Sequence, residues 1–166
     1  MTQAEVVYEV VLGDVGWVLL DTRKYDSNFI LMVYEKSSQW EAFSVFEIDY
    51  QNGEQYEAAG IISLPFDSFV IASQTESNPE IWAFSNGEEV VTIAEYKDYE
   101  FIDDKNVRME TSPGGKQLFV SKEPDNSYLY YEAYGYLAVI SGTINLDDIK
   151  KLADSIDSLL LASFLK

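Results

Sequence analysis

The sequence predicts an α+β fold. Its body is a strongly curved, half-barrel-like antiparallel sheet of about eight to ten strands, and a C-terminal amphipathic helix packs on one face. Three observations predict it. Short runs rich in Val, Ile, Phe, Tyr and Trp, side chains that suit a pleated, half-buried surface, alternate with clusters of turn residues. Two Asn-Gly pairs, Asn52-Gly53 and Asn86-Gly87, have the chemistry of tight hairpin turns, which need positive φ at their central residues. Only the end of the chain carries apolar residues at helical spacing over several turns.

The opening is the most ambiguous stretch. Thr2-x-x-Glu5 before an apolar run reads as a capping box, which predicts a short N-terminal helix to about Leu12, ended by Gly13. Against it, Val6, Val7, Val10 and Val11 are β-branched and favour a strand. Strand candidates then follow at Gly16–Asp21, Asn28–Tyr34, Glu41–Tyr50, Gly60–Leu64, Phe69–Ser73, Ile81–Phe84, Glu89–Tyr96, Val107–Thr111, Gln117–Val120, Tyr128–Glu132 and Tyr136–Gly142. At the end, Leu146, Ile149, Leu152, Ala153, Ile156, Leu159, Leu160 and Phe164 recur at spacings of three and four, forming one apolar stripe. Asn145 can cap the helix start, Asp147 and Asp148 suit its positive end, and Lys166 suits the other.

The chain has 166 residues and no Pro- or Gly-rich linker, so residues 1–166 read as a single domain. It has no Cys and no His. That removes disulfides, thiol nucleophiles, Ser-His-Asp triads, His-ligated metals and imidazole acid/base chemistry. No cofactor or metal is expected. The net charge of −18 is spread along the chain and opposes nucleic-acid backbones and anionic lipid. Expected partners are therefore a small apolar or peptide ligand, or a protein with a basic surface. No apolar run reaches the ~18–20 residues of a membrane helix, and Met1-Thr2-Gln3-Ala4-Glu5 lacks the pattern of a signal peptide.

The segment from Tyr134 to Ile156, a Gly-Tyr strand ending in Ile140-Ser141-Gly142 and a helix with Ala153-x-Ser155-Ile156, resembles the closing strand and helix of an uncharacterised domain family. That family is common in Gram-positive bacteria at the C-terminus of membrane-anchored proteins. Asn86-Gly87 with Val90-Val91-Thr92-Ile93 is similar to an earlier hairpin of the same family. The family is itself similar to periplasmic lipoprotein-carrier and sigma-factor-regulator half-barrels. The resemblance implies a non-catalytic, extracytoplasmic module that binds a lipid, peptide or protein, and it brings no catalytic residues.

Five tyrosines, Tyr128, Tyr130, Tyr131, Tyr134 and Tyr136, fall close together. In a continuous strand, Tyr128, Tyr130, Tyr134 and Tyr136 share one face and would suit the wall of a ligand groove. The alternatives are cross-strand packing, or a turn at Gly135 that breaks the row. Trp40, beside a polar stretch, is a further contact candidate. Asp98, Glu100, Asp103 and Asp104 form the densest acidic run but lack the spacing of a calcium loop. Gly114-Gly115-Lys116 lacks the rest of a phosphate loop.

The function expected is a non-enzymatic binding or sensing module of extracytoplasmic type, working through a concave sheet face or the Tyr-rich strand. The alternative is an intracellular acidic protein that blocks a basic, nucleic-acid-binding partner.

Overall fold

The computed structural model describes residues 5–23, 28–57, 64–76, 78–97, 106–122, 128–133 and 135–156. Strands β1 (Glu5–Leu12), β2 (Val15–Asp21), β3 (Phe29–Lys36) and β4 (Trp40–Ile48) form a four-stranded antiparallel meander. The remaining strands are β5 (Gln55–Glu57), β6 (Ser68–Gln74), β7 (Glu80–Ser85), β8 (Val90–Tyr96), β9 (Val107–Thr111), β10 (Gln117–Ser121), β11 (Tyr128–Ala133) and β12 (Tyr136–Gly142). They make an eight-stranded sheet in the order β5-β6-β7-β8-β12-β11-β10-β9, again antiparallel throughout. Helix α1 (Leu146–Ser155) follows. The antiparallel sheet and the C-terminal helix stand as expected, with the strands divided between two open sheets.

The N-terminal helix is a correction. Residues 5–12 are strand β1, in which Tyr8, Val10 and Leu12 alternate inward while Glu9 and Val11 face out. The β-branched valines and the period of two outweigh a capping box whose Thr2 lies outside the described residues. Asn52-Gly53 is a second correction, because it does not close a hairpin. Strands β4 and β5 belong to different sheets, and this turn is where the chain leaves one for the other. There the Asp49 carboxylate accepts hydrogen bonds from the Gln51 and Asn52 amides, each at 3.1 Å. A Cβ on Gly53 would stand 2.6 Å from the Asp49 carbonyl oxygen, so only glycine fits the corner. Asn86-Gly87 does join β7 to β8, but as part of a longer turn. Ser85 pairs with Val90, and the Asn86 side chain accepts from the Glu88 and Glu89 amides at 3.0 and 2.8 Å. The strand candidate Gly60–Leu64 and the run Asp98–Asp104 lie, but for Leu64, outside the described residues, as do Leu159, Leu160, Phe164 and Lys166.

The large sheet is the middle layer. One face carries Phe69, Trp82, Phe84, Val91, Ile93, Leu118, Val120, Leu129, Tyr131, Ala138 and Ile140, and packs against Ile149, Leu152, Ala153 and Ile156 at the helix. The opposite face, with Val70, Ile81, Ala83, Val90, Ala94, Tyr128, Tyr130, Leu137 and Val139, packs against Tyr8, Val10, Leu12, Trp17, Leu19, Phe29, Leu31, Val33 and Ile48 of the meander. A buried polar chain crosses this second core. The Tyr8 hydroxyl donates to Thr92 Oγ1 at 3.0 Å, Thr92 and Ser141 share a hydrogen bond at 2.5 Å, and Trp17 Nε1 donates to Ser141 Oγ at 3.4 Å. Burial raises the pKa of the Tyr8 phenol well above its usual value, so it stays a neutral donor.

Both ends of α1 are tied down. Asn145 Oδ1 accepts from the Asp148 amide at 2.9 Å, the cap the sequence predicts. At the other end Lys116 Nζ donates to the carbonyls of Ala153 at 2.6 Å and Ile156 at 3.2 Å while lying 4.2 Å from the centre of the Tyr131 ring. A lysine from the β9–β10 turn thus satisfies carbonyls that a helix end leaves open. Asp154 accepts from the Ser112 hydroxyl and from the Gly114 amide, and Lys150 pairs with Glu110 at 2.6 Å. Asn145→Ala is expected to cost about 1 kcal/mol, measured as a lower urea midpoint. An unchanged midpoint would mean that the helix start gains nothing from its cap.

Candidate functional site

Register decides which side chains share the outer face of the meander, the face turned away from the large sheet. Glu9, Val18, Met32 and Val45 form one cross-strand row. On one side of it stand Val6, Leu20, Ile30 and Glu47, and on the other Val11, Gly16, Tyr34 and Ala42. A further step along, Lys36 pairs with Trp40 and lies 5.9 Å from the centre of its ring. The two middle strands, β2 and β3, therefore present Gly16, Val18, Leu20, Ile30, Met32 and Tyr34 outward, without a charge among them across three rows. The exposed carboxylates Glu9 and Glu47 stand at the margins, on β1 and β4.

Of these apolar side chains Val18 is buried at 4% exposure, and Leu20, Ile30, Met32 and Tyr34 are half-buried. Val6 is 60% exposed, Val45 57% and Val11 47%. Trp40 at 43% and Phe43 at 39% extend the apolar surface along β4, where the chain bulges at Phe43. Strands lie ~4.8 Å apart, so the face is about 14 Å across between its outer strands. Exposed apolar side chains grouped on one face make it a candidate interaction surface.

Trp40, a candidate from the sequence, thus lies at the end of this face. The tyrosines are placed differently. Tyr128 and Tyr130 are 6% and 4% exposed, inside the core between the two sheets, and Phe119 stacks on Tyr130 with ring centres 5.2 Å apart. Ala133 pairs with Tyr136 across a two-residue turn in which Gly135 has φ of 82°. Passing through that turn reverses the parity of the strand, so Tyr136 shares a face with Tyr131 and not with Tyr128 and Tyr130. The single row expected from a continuous strand is broken there, and Tyr134 lies outside the described residues.

Glu95 is the only buried charged side chain among the described residues, and it stands cross-strand from Glu80, which pairs with Lys97 at 3.2 Å. No group of three or more acidic residues able to hold a metal ion occurs among the described residues. Among the described residues no helix is long and apolar enough to cross a membrane. Comparison with protein-family models, with curated proteins and with solved structures gives no match.

The signal for the outer face was present in the sequence. Phe29-Ile30-Leu31-Met32-Val33-Tyr34 is apolar without interruption, and a strand apolar on both faces expects cover on both. The meander's inner side packs against the large sheet, while on its outer side Val18 is buried and Ile30, Met32 and Tyr34 are half-buried.

Proposed function

We propose that this chain is a non-enzymatic binding module that presents the outer face of the meander to a partner. The observation that carries the reading is the set of exposed apolar side chains on the meander's outer strands, Val6, Val11, Trp40, Phe43 and Val45, beside the half-buried Leu20, Ile30, Met32 and Tyr34. Trp40 and Tyr34 at one end supply aromatic surface with polar tips, the kind of group enriched where a partner is held. The resemblance of residues 134–156 supports placing the module outside the cytoplasm and relating its large sheet to the curved half-barrel carriers.

A neutral solvatochromic dye, Nile red, tests the face without presuming the partner. Folded protein is expected to raise its fluorescence, Met32→Glu with Val45→Glu to remove most of that rise, and Met32→Leu to keep it. Val45→Glu alone, at a solvent-exposed position, is the variant to read if the pair impairs folding. Absence of dye binding by the folded wild-type chain, or binding indifferent to these substitutions, would overturn the reading.

A further inference from the structure

We infer that Asn52-Gly53 is a site of self-modification: Asn52 deamidates in the folded chain, and Asp49 sets the rate. The backbone nitrogen of Gly53, once it has lost its proton, attacks Cγ of Asn52. The Cγ–Nδ2 bond breaks, the side-chain amide takes up a proton and leaves as ammonia, and a cyclic succinimide remains. Water then opens either of its two C–N bonds. One opening gives aspartate, the other isoaspartate, whose main chain runs through the side-chain carbon. A following glycine favours the attack because no Cβ shields its nitrogen, and asparagine is thermolabile by this kind of chemistry.

The sequence offers two equal chances, since Asn52-Gly53-Glu54 and Asn86-Gly87-Glu88 repeat the same three residue types. The fold separates them. Asn86 is half-buried between paired strands, and its Oδ1 accepts from the Glu88 and Glu89 amides at 3.0 and 2.8 Å. The Gly87 amide donates to Ser85 Oγ at 3.0 Å, and the Gly87 carbonyl accepts from Arg23 at 3.3 Å. Closing the ring there means turning both reacting groups out of bonds made with several residues. Asn52 is exposed, and it is held by Asp49: its backbone amide donates to Oδ1 at 3.1 Å and its side-chain amide to Oδ2 at 2.9 Å. The Gly53 amide donates to the carbonyl of the same Asp49 at 2.9 Å. One residue thus restrains both the attacked group and the attacking nitrogen, and its negative charge opposes loss of the Gly53 proton.

The product does not fit where the asparagine did. The donors of Asn52 hold the Asp49 carboxyl below its usual range. Aspartate at position 52 lacks the side-chain donor and sets a second negative charge against the first. Isoaspartate lengthens the main chain in a corner where a Cβ on Gly53 would already stand 2.6 Å from the Asp49 carbonyl oxygen. The same corner carries the chain from the meander to the large sheet, and Tyr50 within it hydrogen-bonds Ser68 of β6. Deamidation therefore loosens the joint between the sheets.

The test keeps the folded full chain in warm, mildly alkaline buffer beside the same chain unfolded in guanidinium, and follows both asparagines by peptide mass spectrometry. In the folded chain Asn52 is expected to convert several-fold faster than Asn86, and in the unfolded chain the two should convert at similar rates. Asp49→Ala should speed Asn52 several-fold and leave Asn86 unchanged. Asn52→Asp should show a lower urea midpoint than Asn52→Gln, which keeps an amide donor and closes the ring far more slowly. Equal or faster conversion of Asn86 in the folded chain, or no conversion of folded Asn52 while the unfolded chain converts, overturns the inference without recourse to any variant. An unchanged Asn52 rate in folded Asp49→Ala overturns the role of Asp49, and equal midpoints for the two Asn52 variants overturn the effect on the joint.

Discussion

Ile149→Asp is expected to leave the chain without a cooperative unfolding transition. Ile149 is fully buried under α1, in one core cluster with Leu129, Tyr131, Ala138 and Ile140 of β11 and β12. Truncating such a side chain costs about 2–5 kcal/mol in cavity and lost transfer energy. Aspartate adds the desolvation of a carboxylate among aliphatic neighbours. Against a total stability of roughly 5–15 kcal/mol, the sum removes most or all of the folded population. Ile149→Ala supplies the graded version, with a lowered but still cooperative melt. A wild-type melting curve for Ile149→Asp would mean that the helix does not dock.

Trp17→Ala is expected to cost about 3–5 kcal/mol, read as a fall in the urea midpoint. Trp17 is fully buried between the sheets and is the largest side chain there. Its indole donates to Ser141 in the chain that continues through Thr92 to Tyr8. The substitution therefore opens a cavity and removes one link of a buried polar network at the same time. Trp17→Phe fills most of the volume without the donor and should fall between the two. A loss below ~1 kcal/mol for Trp17→Ala would mean that the two sheets are held together elsewhere.

Much of the fold was legible because strand formation here is a local matter. Alternation and β-branching located most of the strands, and the three–four spacing with Asn145 located α1 and its cap. What the sequence did not reveal depends on which strand meets which. Whether Val6–Leu12 is helix or strand was settled by β2 beside it, not by its own capping pattern. The Asn52-Gly53 turn has hairpin chemistry but is spent on changing sheets, and the three-residue strand β5 is too short to show a period. Tyr136 lost its place in the tyrosine row because one glycine at positive φ reversed the strand. The candidate site was half legible: Trp40 was singled out, while the run Phe29–Tyr34 was read only as part of a strand, until the register turned Ile30, Met32 and Tyr34, all half-buried, to the meander's outer face.

The spatial order of the large sheet has a consequence for how the protein is made. Strand β12 is the last of the described strands in chain order, yet it lies between β8 and β11 and pairs with both. While the polypeptide is still emerging, β5–β8 and β9–β11 are two ribbons, each ending in a row of unsatisfied amides and carbonyls. The seam closes only when Tyr136–Gly142 slides in like a keystone, so any synthesis arrested before it would leave two bare borders open to the wrong neighbour.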